Sequence, residues 1–147
     1  MHRLKKKDLP IEDVIDIYCK QVRSVLEFGV PVWNSGLKKQ LIRDIERVQK
    51  TFLYIIYGNS YRNYHHALEK SKLETLEDRR LKLCETFAIK TAQHSKHNHW
   101  FKVNRCTKTT RIKRNKFVPP RSTTKRFTDS PIPYLTYLLN KIHNNNT

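Results

Sequence analysis

The residues best suited to a chemical role lie in one basic stretch, between Lys102 and Phe127. Arg and Lys recur there every few residues, with Thr, Ser and Asn among them. Such side chains bind phosphate oxygens, because Arg offers a fork of donors, Lys a point charge, and hydroxyls and amides further hydrogen bonds. The stretch predicts contacts to a nucleic-acid backbone through ten side chains: Lys102, Arg105, Lys108, Arg111, Lys113, Arg114, Lys116, Arg121, Lys125 and Arg126.

The charge of the chain is concentrated in the same region. The 147 residues include 30 Lys and Arg and 13 Asp and Glu, which gives a formal net charge of +17. Residues 86–128 hold 12 basic and no acidic side chains, whereas residues 1–85 hold 17 and 12. Such a stretch repels itself unless a polyanion neutralises it. Two other interpretations stay open, a solvated tail and a nuclear-localisation patch at residues 111–116.

Two further features favour a nucleic-acid partner. Arg43, Arg47 and Lys50 lie between the apolar positions of a predicted helix and offer a second basic face. Three aromatic residues of the basic region provide rings that can stack on unpaired bases. They are Phe101, Phe117 and Phe127.

A group of His and Cys residues raises the question of a metal site. Cys84, His94, His97, His99 and Cys106 fall within 23 residues. Zinc modules usually place their ligands as close Cys-Cys and His-His pairs, and here each cysteine stands alone. Cys84 also falls on the apolar side of a predicted helix, where a free Cys behaves as a small hydrophobe. We therefore expect no metal and no cofactor.

The sequence shows no pattern typical of an active site. The three glycines, Gly29, Gly36 and Gly58, are too dispersed for a phosphate-binding loop. There is no Tyr-x-Asp-Asp motif to hold two Mg²⁺ ions, and no Cys or Ser has a recognisable base nearby. The acidic residues fit helix surfaces, such as Glu46 beside Lys50. We expect no catalytic residues and no small-molecule substrate.

Apolar periodicity predicts that helices position these residues. Apolar side chains recur at i, i+3, i+4 and i+7 in several segments, and Pro119-Pro120 forbids helix in the basic region. We predict helices at 10–28, 38–57, 61–70, 75–93 and 131–142, with a connector at 30–36. The expected fold is all-α, a small helical bundle over 1–93, then a basic irregular segment over 94–130 and a C-terminal helix with a polar tail over 131–147.

Membrane and secretory classes do not fit the sequence. The longest apolar run, Phe52 to Tyr57, is far short of the ~20 residues needed to span a bilayer. The first ten residues have charge but no apolar region behind it, so they do not form a signal peptide. Three widely spaced cysteines indicate a reducing compartment. We expect a nuclear or cytoplasmic location, neither secreted nor in a membrane.

Short motifs over nearly the whole chain occur in a specific order and spacing. They are Ile17-Tyr18, Val22 to Phe28, Pro31 to Trp33, Leu41, Ile45 to Lys50, Tyr64, Ala67-Leu68, Leu73, Thr75 to Arg80, Leu83-Cys84, Phe87-Ala88, Arg114-Asn115, Thr124, Arg126-Phe127, Ser130 to Leu135 and Leu138 to Asn140. The series resembles the segment just after the palm of non-LTR retrotransposon reverse transcriptases, in particular the jockey-like group.

The resemblance implies that the chain is the helical thumb and basic tail of such a polymerase. In that family the thumb is thought to grip the template–primer backbone and the tail to hold element RNA or target DNA. The family's metal-binding aspartates are in the palm, so this chain is not expected to synthesise DNA alone. Its expected partners are RNA or DNA and the palm, which part of the surface at 22–28 and 32–33 would face.

Two alternatives to this interpretation stay open. In the first, the chain is a degenerate retroelement product that acts only in protein interaction. In the second, it is the C-terminal piece of a longer active reverse transcriptase. Trp33 is the residue that bears on them. We expect it to fill the core between the first two helices, whereas exposure there would mark an interface.

Overall fold

Helices form most of residues 9–104 and 115–145, the part of the chain that the computed structural model describes. This confirms the all-α fold class. Three short 3₁₀ turns lie at Asn34–Gly36, Gly58–Ser60 and Asn98–Trp100. No described helix is long and apolar enough to cross a membrane. The helices are α1 Ile11–Ile17, α2 Ser24–Glu27, α3 Val30–Trp33, α4 Lys39–Tyr57, α5 Tyr64–Ser71, α6 Leu76–Gln93, α7 Lys125–Thr128 and α8 Pro131–Asn145.

The first predicted helix is interrupted, and the predicted connector is helical. Between α1 and α2 the backbone forms a π-helix over Tyr18–Arg23. The Ser24 hydroxyl donates to the Lys20 carbonyl there (2.6 Å), a side-chain contact that bends helices and leaves no trace in apolar spacing. Gly29 then takes a left-handed conformation (φ 66°) that starts α3. Pro31 fits the first turn of α3, where no backbone N–H is needed.

Backbone contacts divide the chain into two compact units, which do not follow the order of the sequence. Unit 1 comprises Met1–Phe28 and Leu37–Arg79, and unit 2 comprises Gly29–Gly36 and Arg80–Thr147. Helix α6 therefore contributes its first turn to unit 1 and its remaining turns to unit 2. The division into segments 1–93, 94–130 and 131–147 rests on composition and apolar spacing, and it stays a prediction.

The core of unit 1 is formed by the apolar faces of α1, α4 and α5. Tyr18 is fully buried and stacks on Phe52, with ring centroids 3.9 Å apart. The predicted stripe of α4 is confirmed at Phe52, Leu53 and Ile56. Helical spacing also predicts that Leu41 and Val48 face inward, and this prediction is wrong because both are exposed.

A buried amide links three parts of unit 1. Gln49 is fully buried; its Oε1 accepts from the Tyr18 hydroxyl (3.1 Å) and its Nε2 donates to the Tyr64 hydroxyl (3.1 Å) and the Glu74 carbonyl (2.8 Å). The Tyr64 hydroxyl also donates to Glu46 Oε1, which accepts from the Leu76 amide at the start of α6 (3.3 Å). Burial raises the pKa of both tyrosines.

Glu46 is therefore not the surface partner of Lys50 that the helical spacing predicts. Its side chain is half-buried and holds the first amide of α6, where the positive end of the helix dipole favours a carboxylate. Lys50 lies instead over the Tyr64 ring, with Nζ 5.0 Å from the centroid. Sequence spacing identifies neighbours within one helix, whereas this contact is between helices.

The core of unit 2 brings together segments from both ends of the chain. Its buried members are Val30, Cys84, Ala88, Phe101, Leu135, Leu138 and Leu139. Trp33 packs against this core in part, so the expectation that it lies between the first two helices is wrong. Cys84 is fully buried, and burial raises the pKa of its thiol to about 11. Helical spacing predicts that Phe87 faces inward with Cys84 and Ala88, and this prediction is wrong because Phe87 is exposed.

Candidate nucleic-acid interface

Two backbone segments of the basic region in unit 2 pair with each other. Val103 and Phe117 form an antiparallel bridge. The Asn104 amide donates to the Lys116 carbonyl and the Val118 amide to the Lys102 carbonyl, each at 2.8 Å. Lys102 and Lys116 adjoin the two bridge residues, and Lys116 Nζ lies over the Phe117 ring, 5.7 Å from its centroid. Both lysines are exposed.

Asn140 of α8 connects the Val103–Phe117 bridge to the rest of unit 2. Its Oδ1 accepts from the Phe117 amide (2.9 Å), and its Nδ2 donates to the Phe117 carbonyl (3.0 Å). The side chain pairs with Phe117 as a neighbouring strand would, and it is itself buried. Nothing in the sequence around Asn140 indicates this role, because its partner is 23 residues away. The two lysines are thereby presented from a rigid position.

Two of the three predicted stacking residues belong to the core. Phe101 is 3% exposed, and Phe117 packs against the same cluster in part, with the two rings 6.2 Å apart edge to face. The prediction that these rings stack on bases is wrong, because α8 and its neighbours already cover them. Phe127 is exposed and stays a candidate.

A second group of cations surrounds α7. Thr124 caps this short helix, because its Oγ1 accepts from the Phe127 amide at 3.3 Å. Lys125 and Arg126 are consecutive residues of its single turn, and Arg121 precedes the cap. All three side chains are exposed.

Within the described part of the chain, these cations have no acidic partner. No carboxylate of the described residues lies within 4.0 Å of the charged groups of Lys102, Lys116, Arg121, Lys125 or Arg126. The sequence explains this, since residues 86–128 hold no Asp or Glu. The remaining predicted contacts of the basic stretch, Arg105, Lys108, Arg111, Lys113 and Arg114, lie outside the described residues, as does most of the 111–116 patch.

The second predicted face lies on α4 in unit 1. Arg43, Arg47 and Lys50 are all exposed, and their spacing of four and three residues places them on one side of the helix. Their charges are partly engaged: Arg47 Nη1 is 3.5 Å from Asp44 Oδ1, and Lys50 lies over Tyr64. Contacts to neighbouring side chains thus engage Arg47 and Lys50 on this face, and Lys116 at the Val103–Phe117 bridge.

The histidine group does not assemble as a metal site. Among the described residues no three His, Cys, Asp or Glu side chains are placed to hold a metal ion. Cys84 is buried in the core, and Cys106 lies outside the described residues. His94 and His97 instead stack on each other and continue to Trp100, an arrangement that the sequence analysis missed. The spacing of three residues in a turn is the signal that could have found it.

Some large apolar side chains are exposed, in each unit separately. In unit 1, Val25 is 72% and Phe28 84% exposed. In unit 2, Val32 is 66% exposed, while its neighbour Trp33 is half-buried. Single exposed apolar residues are normal, but a Phe as exposed as Phe28 is a candidate contact point for a partner.

Known proteins supply no template for the interface: no family model, no curated protein and no solved structure matches the chain. What it binds must be inferred from its own charge and geometry. Exposed donors without nearby acids bind anions, since each phosphate oxygen can accept from them without competition. The arrangement is suited to holding a polyanion.

Proposed function

We propose that this chain is a non-catalytic nucleic-acid-binding module that holds the backbone of RNA or DNA mainly through unit 2. The observation that carries the proposal is a set of exposed cations, Lys102, Lys116, Arg121, Lys125 and Arg126, that form no ion pair with any carboxylate of the described residues. Five further basic residues lie at 105–114, between Val103 and Phe117 in the sequence, and they add to the positive charge of this region.

Phosphate contacts determine how such a module binds. Phosphates carry no sequence code, so affinity depends weakly on sequence and strongly on salt. Binding to six or more phosphates of a single strand gives a log–log salt slope of about −4 or steeper. Arg43, Arg47 and Lys50 form a secondary face in this proposal, since two of the three already contact neighbouring side chains.

The resemblance to non-LTR retrotransposon reverse transcriptases adds a proposed origin. The chain is then the thumb and tail of such a polymerase, in the nucleus or the cytoplasm, and DNA synthesis needs a palm. The helical build and the basic region that follows it support this origin. A reading frame upstream with a Tyr-x-Asp-Asp motif would favour the longer active enzyme.

The experiment compares three full-length variants that each lose five positive charges. The first changes Lys102, Lys116, Arg121, Lys125 and Arg126 to Gln, and the second changes Arg105, Lys108, Arg111, Lys113 and Arg114 to Gln. The third, the matched control, changes Lys20, Lys38, Lys39, Arg62 and Lys72 to Gln, which are exposed in unit 1 and lie outside the basic face of α4. Fluorescence anisotropy with a labelled 20-nucleotide strand and an RNA–DNA hybrid is measured at several salt concentrations.

We expect the first two variants to lose about 100-fold in affinity near 0.1 M salt, with a slope shallower by about 3. The control should lose less than about 3-fold. Equal losses in all three would mean that only net charge matters and that unit 2 forms no interface. Absence of binding by the unmodified chain at low salt would overturn the proposal.

The exposed Val25 and Phe28 of unit 1 favour a second candidate, a protein-interaction module. It predicts that the chain associates with itself or with a palm through this apolar surface. Light scattering of the unmodified chain and of a Val25→Ser, Phe28→Ser variant tests self-association. A concentration-dependent dimer that the double variant loses, together with no nucleic-acid binding, would favour this candidate over the first.

A further inference from the structure

Unit 2 exposes a series of aromatic rings directly before Lys102. The rings of His94 and His97 stack with centroids 5.0 Å apart, and those of His97 and Trp100 are also 5.0 Å apart. His99 meets the Trp100 ring edge-on at 6.1 Å. All four side chains are exposed, and Trp100 keeps 40% of its surface accessible.

Consecutive tight turns produce this series. The His97 amide donates to the His94 carbonyl and the Trp100 amide to the His97 carbonyl, each at 3.0 Å. Hydrogen bonds between residues three apart bring side chains at i and i+3 to the same side of the backbone. The rings of His94, His97 and Trp100 therefore form a row that the backbone holds in place.

The exposure of Trp100 follows from the burial of its neighbour. Phe101 is 3% exposed within the core of unit 2 and anchors the backbone at this point. Trp100 is then held at the surface, next to a residue that cannot move without opening the core. A fixed, half-exposed indole is a flat apolar face available for contact.

The charge around the rings selects the kind of partner. Lys96 lies in the same turns and Lys102 follows Trp100 by two residues, both exposed. No acidic residue occurs between 86 and 128. A partner that fits must combine negative charge with flat aromatic faces, and a nucleic-acid single strand has both.

We propose that Trp100, backed by His97, stacks on an unpaired base of a single strand whose phosphates contact Lys102 and the neighbouring cations. This inference rests on the proposed function and adds a preference for single strands. In a duplex the base faces are covered by their neighbours, so only a single strand offers them to a side chain. The role that the sequence analysis gave to Phe101 and Phe117 passes to Trp100.

The test uses the full chain and the only two tryptophans it contains. A Trp33→Phe variant leaves Trp100 as the single indole, so its fluorescence reports directly on the proposed site. This variant is titrated with a 12-nucleotide thymidine strand and with an abasic strand of equal length. The abasic strand keeps every phosphate and removes every base, so it separates stacking from charge.

We expect the thymidine strand to quench Trp100 fluorescence and to bind about 10-fold more tightly than the abasic strand. In anisotropy with labelled strands, Trp100→Ala should remove this difference and Trp100→Tyr should retain part of it. Lys102→Gln is the matched control, since it should weaken both strands by the same factor. Circular dichroism verifies that each variant keeps its helices.

Equal affinity of the unmodified chain for both strands would overturn the stacking proposal and leave the phosphate contacts intact. A Trp100→Ala variant that still prefers the thymidine strand by 10-fold would also overturn it. Failure of both strands to bind at low salt would overturn the proposed function as well.

Discussion

Units 1 and 2 carry the same number of basic residues and differ in their acidic ones. Each contains 15 Lys and Arg, but unit 1 contains 11 Asp and Glu and unit 2 only 2, which gives formal charges of +4 and +13. The difference shows in the side chains. In unit 1, Arg79 Nε is 2.5 Å from Glu27 Oε1 and Lys20 Nζ is 2.6 Å from Asp16 Oδ2.

Corresponding partners are missing from the described basic region of unit 2. The comparison shows that a surface suited to anions depends on the removal of acids more than on an excess of bases. Lys20, Arg23, Arg47 and Arg79 of unit 1 form ion pairs with carboxylates, whereas Lys102, Lys116, Arg121, Lys125 and Arg126 of unit 2 form none among the described residues. Three predictions test this division, ordered by the expected size of the effect.

The largest effect is expected at the buried amides that organise each unit. Gln49→Leu removes the buried hydrogen bonds to the Tyr18 hydroxyl and the Glu74 carbonyl, so it should lower the free energy of unfolding by about 3 kcal/mol. Asn140→Leu removes both bonds to Phe117 and should cost about 2 kcal/mol. Urea unfolding measures both, with the exposed Gln40→Leu on α4 as the control.

The same pair of variants separates the roles of the units. Asn140→Leu should also weaken nucleic-acid binding, because it removes the hydrogen bonds that hold the Val103–Phe117 bridge, next to which Lys102 and Lys116 lie. Gln49→Leu should leave binding unchanged at temperatures where the chain is folded. Equal effects on binding would contradict the assignment of the interface to unit 2.

A smaller effect is expected at alkaline pH. Burial raises the pKa of Tyr18 and Tyr64, so the folded chain keeps phenolic protons that the unfolded chain loses above pH of about 10. The unfolded state then binds fewer protons than the folded one, and stability falls as the pH rises. At pH 11 the loss should be about 1 kcal/mol for each tyrosine.

Tyr64→Phe should make this pH dependence shallower, although it also removes the hydrogen bond to Glu46. Tyr54→Phe, at an exposed position of the same unit, is the matched control. Thermal unfolding between pH 8 and 11 gives the slopes. Identical slopes for the two variants would show that the pKa of Tyr64 is the same in the folded and the unfolded chain.

The smallest effect distinguishes single lysines of the two units. Lys70 of unit 1 lies over the Tyr57 ring, with Nζ 4.9 Å from the centroid, so Lys70→Gln should lower stability by about 0.5 kcal/mol. Lys125→Gln should leave stability unchanged and weaken nucleic-acid binding a few-fold. Urea unfolding and fluorescence anisotropy measure the two effects. A loss of stability in Lys125→Gln together with a loss of binding in Lys70→Gln would contradict the difference between the units.

Local signals were sufficient to predict most helices. Apolar spacing and terminal residues place α4 within one residue of the predicted 38–57, and Ser130-Pro131 marks the start of α8. The π-helix at Tyr18–Arg23 was missed, because apolar residues continue through it at helical spacing. Composition alone identified the basic region, since the lack of acids in 86–128 needs no structure.

The sequence could not show which side chains of the site are covered. Phe101 and Phe117 occur in an aperiodic basic region, and their burial depends on α8, many residues later. Val30 and Trp33 fall in a segment without apolar periodicity and join a core completed by the same helix. The row from His94 to Trp100 depends on backbone turns in a segment without apolar periodicity.

The discontinuous composition of unit 2 has a consequence for biosynthesis. Asn34 donates to the Tyr134 hydroxyl (3.2 Å), 100 residues further along the chain. A ribosome needs about 5–20 s to add that many residues, and Val30 has no cover from α8 until they are complete. All of unit 1 has been synthesised by then, so the two units close in a fixed order. The nascent basic region emerges before α8 can anchor it, which makes this interval the stage at which chaperones or cellular RNA compete with folding.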